Sequence, residues 1–296
     1  MSTTSNSSSG PVVAPEIFRG VGLVLAAAAT VNGDLGDLPR EKADAVATAA
    51  QAMAEDARQG AVPIPAVDAR ALERSWALVV EGVAYRSGAE HAEVEAGHAP
   101  GPSFACASLL ALVLGIQKDL LPMIYRVESF VQGKAVRTLD PVDRAAAGLC
   151  ERARKRLSLV CEELRAFPLA DRIADQPEVN PEWAPRVTSY LAKPLRLQIR
   201  AVEGRWASLD AVSDAAVAVR QTADACLRAS VVLDRGSQAV RLAVAEARGA
   251  DVTVATLAGV GDGVHGYGRW PLAASAVLRA AGACVVAAEA LVTEPD

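Results

Sequence analysis

Two stretches of this sequence carry residue types that do chemistry. The first is EHAEVEAGH, where His91, Glu95 and His98 stand at i, i+4 and i+7. On a continuous helix these three would project from one face, and imidazole with carboxylate at that spacing can hold zinc or iron. Glu90 and Glu93 stand close enough to orient such ligands. The pattern is not HExxH, Gly97 threatens the helix before His98, and no fourth ligand is marked. A solvated helix end, with histidine favoured there by the helix dipole, is the competing reading.

The second stretch is GVGDGVHGYG, in which Gly261, Gly263 and Gly266 fit GxGxxG. The β-branched run 252–257 precedes it, and CVVAAE ending in Glu289 follows. Together these imitate one strand–helix–strand dinucleotide unit, with Glu289 as the acid for a ribose. Trp270-Pro271 pushes the following helix beyond the third glycine, and nothing upstream supplies further strands. A glycine-rich loop between two helices is the simpler expectation. His265, Asp262 and Tyr267 in it are acid–base groups without a neighbouring nucleophile. There is no GxSxG elbow, phosphate-binding Walker loop or calcium-loop pattern, and no cofactor is expected.

The elements that must position these groups read as helices. Of 296 residues, 51% are apolar, 22% charged and only 4% aromatic. Alanine makes up about a fifth of the chain, well above ordinary usage. This excludes a disordered chain and disfavours an all-β fold, which needs more β-branched and aromatic residues. The expected fold is all-α: an Ala-rich helical bundle with a long coiled-coil-like C-terminal helix or helix pair.

Four regions follow along the chain. Residues 1–14 form a Ser/Thr-rich disordered tail, and 15–167 an N-terminal helical half. Residues 168–194, with five prolines, make a connection, and 195–296 a C-terminal half with the Gly-rich loop 259–268. Asp140-Pro141 predicts a helix start, with aspartate at the cap and proline at the first helical position. Pro122 predicts a kink or break in an otherwise apolar helix. From Leu195, apolar or small residues recur at 199, 202, 206, 209, 212, 216, 219, 223, 226, 230 and 233. Those spacings of three and four predict a heptad seam, with a break near Asp234-Arg235-Gly236.

A net charge of −5 leaves no global field for nucleic acid. The cluster Arg152, Arg154, Lys155 and Arg156 is flanked by Glu151, Glu162 and Glu163 and reads as a solvated face. Five cysteines without a CxxC pair read as reduced, buried thiols. No secretory signal opens the chain, and its apolar runs read as buried helices rather than membrane spans, so a cytoplasmic protein is expected. The leading functional expectation is a non-enzymatic interaction protein, an adaptor, regulator or assembly subunit. Its protein partner or second copy would dock on the 195–248 seam. The alternatives are a nucleotide-binding enzyme using the Gly-rich loop and a membrane-active helical protein.

Overall fold

The computed structural model describes residues 14–60, 69–95, 100–169, 180–202, 205–258 and 270–293. Helices account for nearly all of them. These are α1 (Pro15–Leu35), α2 (Arg40–Arg58), α3 (Ala69–Ser87), the single turn α4 (His91–Val94), α5 (Pro100–Leu114) and α6 (Leu121–Thr138). They continue with α7 (Pro141–Glu163), α8 (Trp183–Leu195), α9 (Arg205–Leu233), α10 (Ser237–Ala258) and α11 (Trp270–Val292). Two-residue strands β1 (Ala166–Phe167) and β2 (Arg200–Ala201) pair in parallel and tie together the two ends of the segment that carries α8.

The all-α expectation holds, and the chemistry of the helix ends explains much of it. Asp140 Oδ1 accepts from the Val142 N–H at 2.7 Å, so the cap and the following proline start α7 as their residue types require. Between α9 and α10 the chain turns through two left-handed residues, Asp234 at φ 55° and Gly236 at φ 67°. From Arg205 onward the seam region is therefore two helices, α9 and α10, meeting at the expected break. Its expected start is corrected: Leu195 ends α8, and the chain leaves helical geometry through β2 before α9 begins.

Seam residues Val212, Ala216, Val219, Ala223, Cys226 and Ser230 are all buried inside the chain. Helix α9 packs on α7, α10 and α11, which cover these residues.

Pro122 does not break its helix. A π-helical turn, Gly115–Leu120, joins α5 to α6, and the Leu121 N–H reaches the Ile116 carbonyl across five residues. The backbone register has shifted before the proline arrives, which places Pro122 in the first turn of α6, where its missing N–H is tolerated.

The long α5–π–α6 helix and α11 form the centre. Helix α11 packs on α5, α6, α9 and α10, while α1 packs on α2, α5 and α8. These two apolar stretches are long enough to cross a membrane, yet 67% of the apolar window in Ser103–Thr138 and 56% of that in Trp270–Val292 lie buried within the chain. They serve as core helices of the bundle. Alanine is the packing device: α1 alone buries Ala26, Ala27, Ala28 and Ala29. The tightest approaches need glycine. A Cβ on Gly20 would stand 2.8 Å from the Ala107 carbonyl oxygen of α5, and one on Gly22 would stand 2.7 Å from that of Ala50 in α2.

Several polar side chains tie the helices to one another. Trp183 Nε1 donates to Asn32 Oδ1 at 2.8 Å, anchoring α8 to α1, and Tyr190 OH donates to Asp34 Oδ2 at 2.6 Å. Glu128, buried in α6, accepts from Arg154 Nε at 2.6 Å and from Gln132 at 3.1 Å. Arg154 thus leaves the solvated face that its neighbours in sequence occupy. All five cysteines are buried and none forms a disulfide, as small hydrophobes would be. Burial pushes the thiols of Cys150 and Cys284 up to about 12 and that of Cys161 to about 11.

The strand–helix–strand reading of the C-terminal region is corrected. Residues 252–257 lie in α10 and CVVAAE lies in the C-terminal half of α11. The β-branched threonines fit the helix because Thr253 Oγ1 and Thr256 Oγ1 donate back to the carbonyls of Gly249 and Val252, each at 2.8 Å.

Candidate functional site

The first turns of α1, the C-terminal half of α5 with its π turn, and the middle of α11 meet around a groove of about 430 Å3. Its floor is apolar: Leu23, Leu110, Ala111, Leu114, Leu278, Ala281 and Val285. Four charged side chains stand around it, Glu16 and Arg19 from α1, Asp119 from the π turn and Arg279 from α11.

Local sequence explains each placement. Glu16, Arg19 and Leu23 fall at i, i+3 and i+7, so they share one face of α1, and the buried residues Ile17, Val21 and Val24 hold the other side. On α11, Leu278, Arg279, Gly282 and Val285 form the corresponding stripe, and a side chain on Gly282 would meet only open space. Gly115 belongs to the floor because Leu278 Cδ2 would stand 3.1 Å from any Cβ there. The wider π turn buries Ile116 and Leu120 while Asp119 stays exposed on the rim. Single π turns inside α-helices are frequent at functional sites.

The groove opens at the N-terminus of a 21-residue helix, whose dipole favours an anion nearby. Ala14, at its cap, is held in place by a 2.9 Å hydrogen bond from its N–H to Ser275 Oγ of α11. The Arg19 charge also reaches Glu55 of α2. That carboxyl is held at about 2, chiefly by hydrogen bonds from Arg58 and then Gln59, with the charges of Arg58 and Arg19 contributing least. Two guanidiniums, two carboxyls and an apolar floor can orient a small dianion and exchange protons with it.

The groups singled out in the sequence fall elsewhere. His91 stands exposed at the start of α4, which ends at Val94. Helix α4 is thus a single turn, with a capping box between Glu90 and Glu93 at its start. Glu95 instead accepts from Trp76 Nε1 at 2.8 Å, and His98 lies outside the described residues. Among the described residues no three metal-ligating side chains cluster. Gly261, Gly263 and Gly266, with Asp262, His265 and Tyr267, also lie outside the described residues, and Glu289 is exposed on α11.

Sequence reasoning missed all four charged residues of the groove. The only local signal was Pro122 in an apolar helix, which marks the neighbourhood of the π turn.

No family model matches the sequence, and no curated protein matches it. Solved structures do match its fold. The recombinant class II fumarase from Schistosoma mansoni superposes with a TM-score of 0.81 over 94% of this chain and 75% of its own, at 13% identity. The fumarate lyase:delta crystallin from Brucella melitensis, in its native form, gives 0.74 over 97% of this chain and 80% of its own, at 15% identity. Its cobalt-bound form gives 0.76 over 97% of this chain and 77% of its own, at 17% identity. These likenesses overturn the expectation of a non-enzymatic helical adaptor, since the architecture is that of fumarases and fumarate lyases. Helix periodicity alone cannot separate this architecture from that of a helical scaffold, because both bury alanine-rich helices on one another.

Proposed function

We propose that this chain is a lyase acting on a small dicarboxylate of the fumarate type, bound in the groove between α1, the π turn and α11. The observation that carries the reading is the convergence of Arg19, Arg279, Glu16 and Asp119 on one apolar-floored groove. The likeness to a fumarase over 94% of the chain supports it.

Arg19 and Arg279 each take one carboxylate, for which the planar guanidinium is the best-matched cation. Asp119 removes the proton from the carbon next to a carboxylate, and the C–H electron pair becomes the new C=C bond. The leaving group departs with its own electron pair, and Glu16 supplies its proton. In the reverse direction the same residues add water or an amine across the double bond. The apolar floor limits water around the carboxylates and so strengthens their pairing with the two arginines. The reaction is assigned to the cytoplasm, where the five buried thiols persist in reduced form.

Proton NMR of the full chain with fumarate, alone and with ammonium, tests the reading. Expected is slow loss of the vinyl signal and growth of the saturated adduct. Asp119→Asn should stop turnover while fumarate still binds, and Arg19→Ala with Arg279→Ala should weaken fumarate binding at least ten-fold. Absence of both turnover and binding would contradict it.

A further inference from the structure

A second groove, of about 840 Å3, lies between α7, α9 and α10, away from the lyase groove. Arg152, Lys155 and Arg156 enter it from α7, Arg228 from α9 and Arg248 from α10, and Asp224 is the one carboxylate in its lining. The sequence shows only the α7 part of this set, where glutamates in the same run suggest a neutralised, solvated face. The folded chain separates them. Arg154 turns inward to Glu128, while Arg152, Lys155 and Arg156 are joined by two cations from helices 72 or more residues further along.

Local partners neutralise little of this charge. Lys155 pairs with Glu151 at 2.6 Å, and Arg156 donates to the neutral side-chain oxygen of Gln221. Arg228 and Arg248 make no ion pair or hydrogen bond among the described residues. Cations brought together from three helices repel one another, and the chain as a whole is acidic, so the field is local. A compact, multiply charged anion removes that repulsion, whereas an extended nucleic acid would also meet the negative remainder of the surface. Beneath the cations lie apolar side chains, among them Leu149, Ala153, Ala225 and Leu227. The volume is within the range of small-molecule sites.

We infer that this groove binds a small polyphosphate anion, either free or as the phosphate chain of a nucleotide, through Arg152, Arg156, Arg228 and Arg248. The site is independent of the lyase groove and of the reaction assigned to it.

Calorimetric titration of the full chain with sodium triphosphate, and separately with ATP, at about 50 mM salt tests it. Expected is micromolar binding of triphosphate that weakens steeply as salt is raised, because the attraction is electrostatic. The pair Arg228→Ala and Arg248→Ala should weaken it at least ten-fold with unchanged helical circular dichroism. The single variant Arg152→Glu should do the same if the pair is poorly folded. Tighter binding of ATP than of triphosphate places the nucleoside on the apolar floor, and equal binding assigns recognition to the phosphate chain alone. Either outcome supports the site. No binding of either probe at low salt, or binding untouched in well-folded variants, would overturn it. The lyase groove variants Arg19→Ala and Arg279→Ala should leave triphosphate binding intact, which separates this test from that of the reaction.

Discussion

Replacing Gly20 with alanine should destabilise the protein even though alanine is the better helix former. In an open helix interior the exchange stabilises by about 1 kcal/mol. At Gly20 the new Cβ would stand 2.8 Å from the Ala107 carbonyl oxygen and 3.0 Å from both Ala107 Cα and Cβ. Two of those atoms are backbone in the central helix α5, so no side chain can swing aside. Relief requires α1 to move away from α5, and overpacking of this kind costs about 1–3 kcal/mol. The clash outweighs the propensity gain, leaving a net loss of up to roughly 2 kcal/mol. Gly22→Ala should behave alike, because its Cβ would stand 2.7 Å from the Ala50 carbonyl oxygen. Gly82→Ala in α3 and Gly249→Ala in α10 are the controls, since nothing lies within 4 Å of a Cβ at either site. Urea unfolding followed by circular dichroism should rank the variants with both controls at or above the parent and both α1 variants below it. A shift of about 2–4 °C in Tm per kcal/mol should accompany this. If Gly20→Ala were as stable as Gly82→Ala, the argument that glycines set the α1–α5 spacing would be refuted. Because α1 also carries Glu16 and Arg19, the Gly20→Ala variant should weaken fumarate binding as well.

Other outcomes follow from the buried polar groups. Arg154→Ala should cost about 3–5 kcal/mol by leaving the Glu128 carboxylate buried without its cation, and the double variant with Glu128→Gln should recover much of the loss in urea unfolding. Trp183→Phe removes the indole donor to Asn32 and should cost about 1–3 kcal/mol, read from the same transition. The thiols of Cys150, Cys161 and Cys284 have folded values raised above their ordinary 9.0, so unfolding releases protons at high pH. The stability they support is complete below about pH 9 and declines as pH rises toward 11–12, which urea midpoints across that range would register. A thiol reagent at pH 8 should accordingly leave the folded protein untouched and titrate five groups in denaturant.

What the sequence revealed were the features set by neighbours along the chain. The Asp140-Pro141 start, the break at Asp234–Gly236 and the burial of alanines and cysteines each depend on a few adjacent residues or on a helical period. The errors arose where local patterns compete with packing. Residues 252–257 look like a strand by composition, yet α10 lies against α9 and α11, and its threonine hydroxyls are satisfied within the helix. Pro122 signalled a kink, but the π turn that accommodates it is a backbone register shift with no residue signature of its own. The groove itself could not be read at all. Glu16, Arg19, Asp119 and Arg279 span most of the chain, and no spacing rule relates residues that converge only through helix packing.

The most direct test of the central claim is the fate of fumarate in the groove. Proton NMR of fumarate with the parent chain and with Asp119→Asn separates chemistry from binding. Expected are conversion by the parent and, in Asp119→Asn, saturation transfer to bound fumarate without conversion. Conversion undiminished in Asp119→Asn, or no interaction of fumarate with the parent chain, would contradict it.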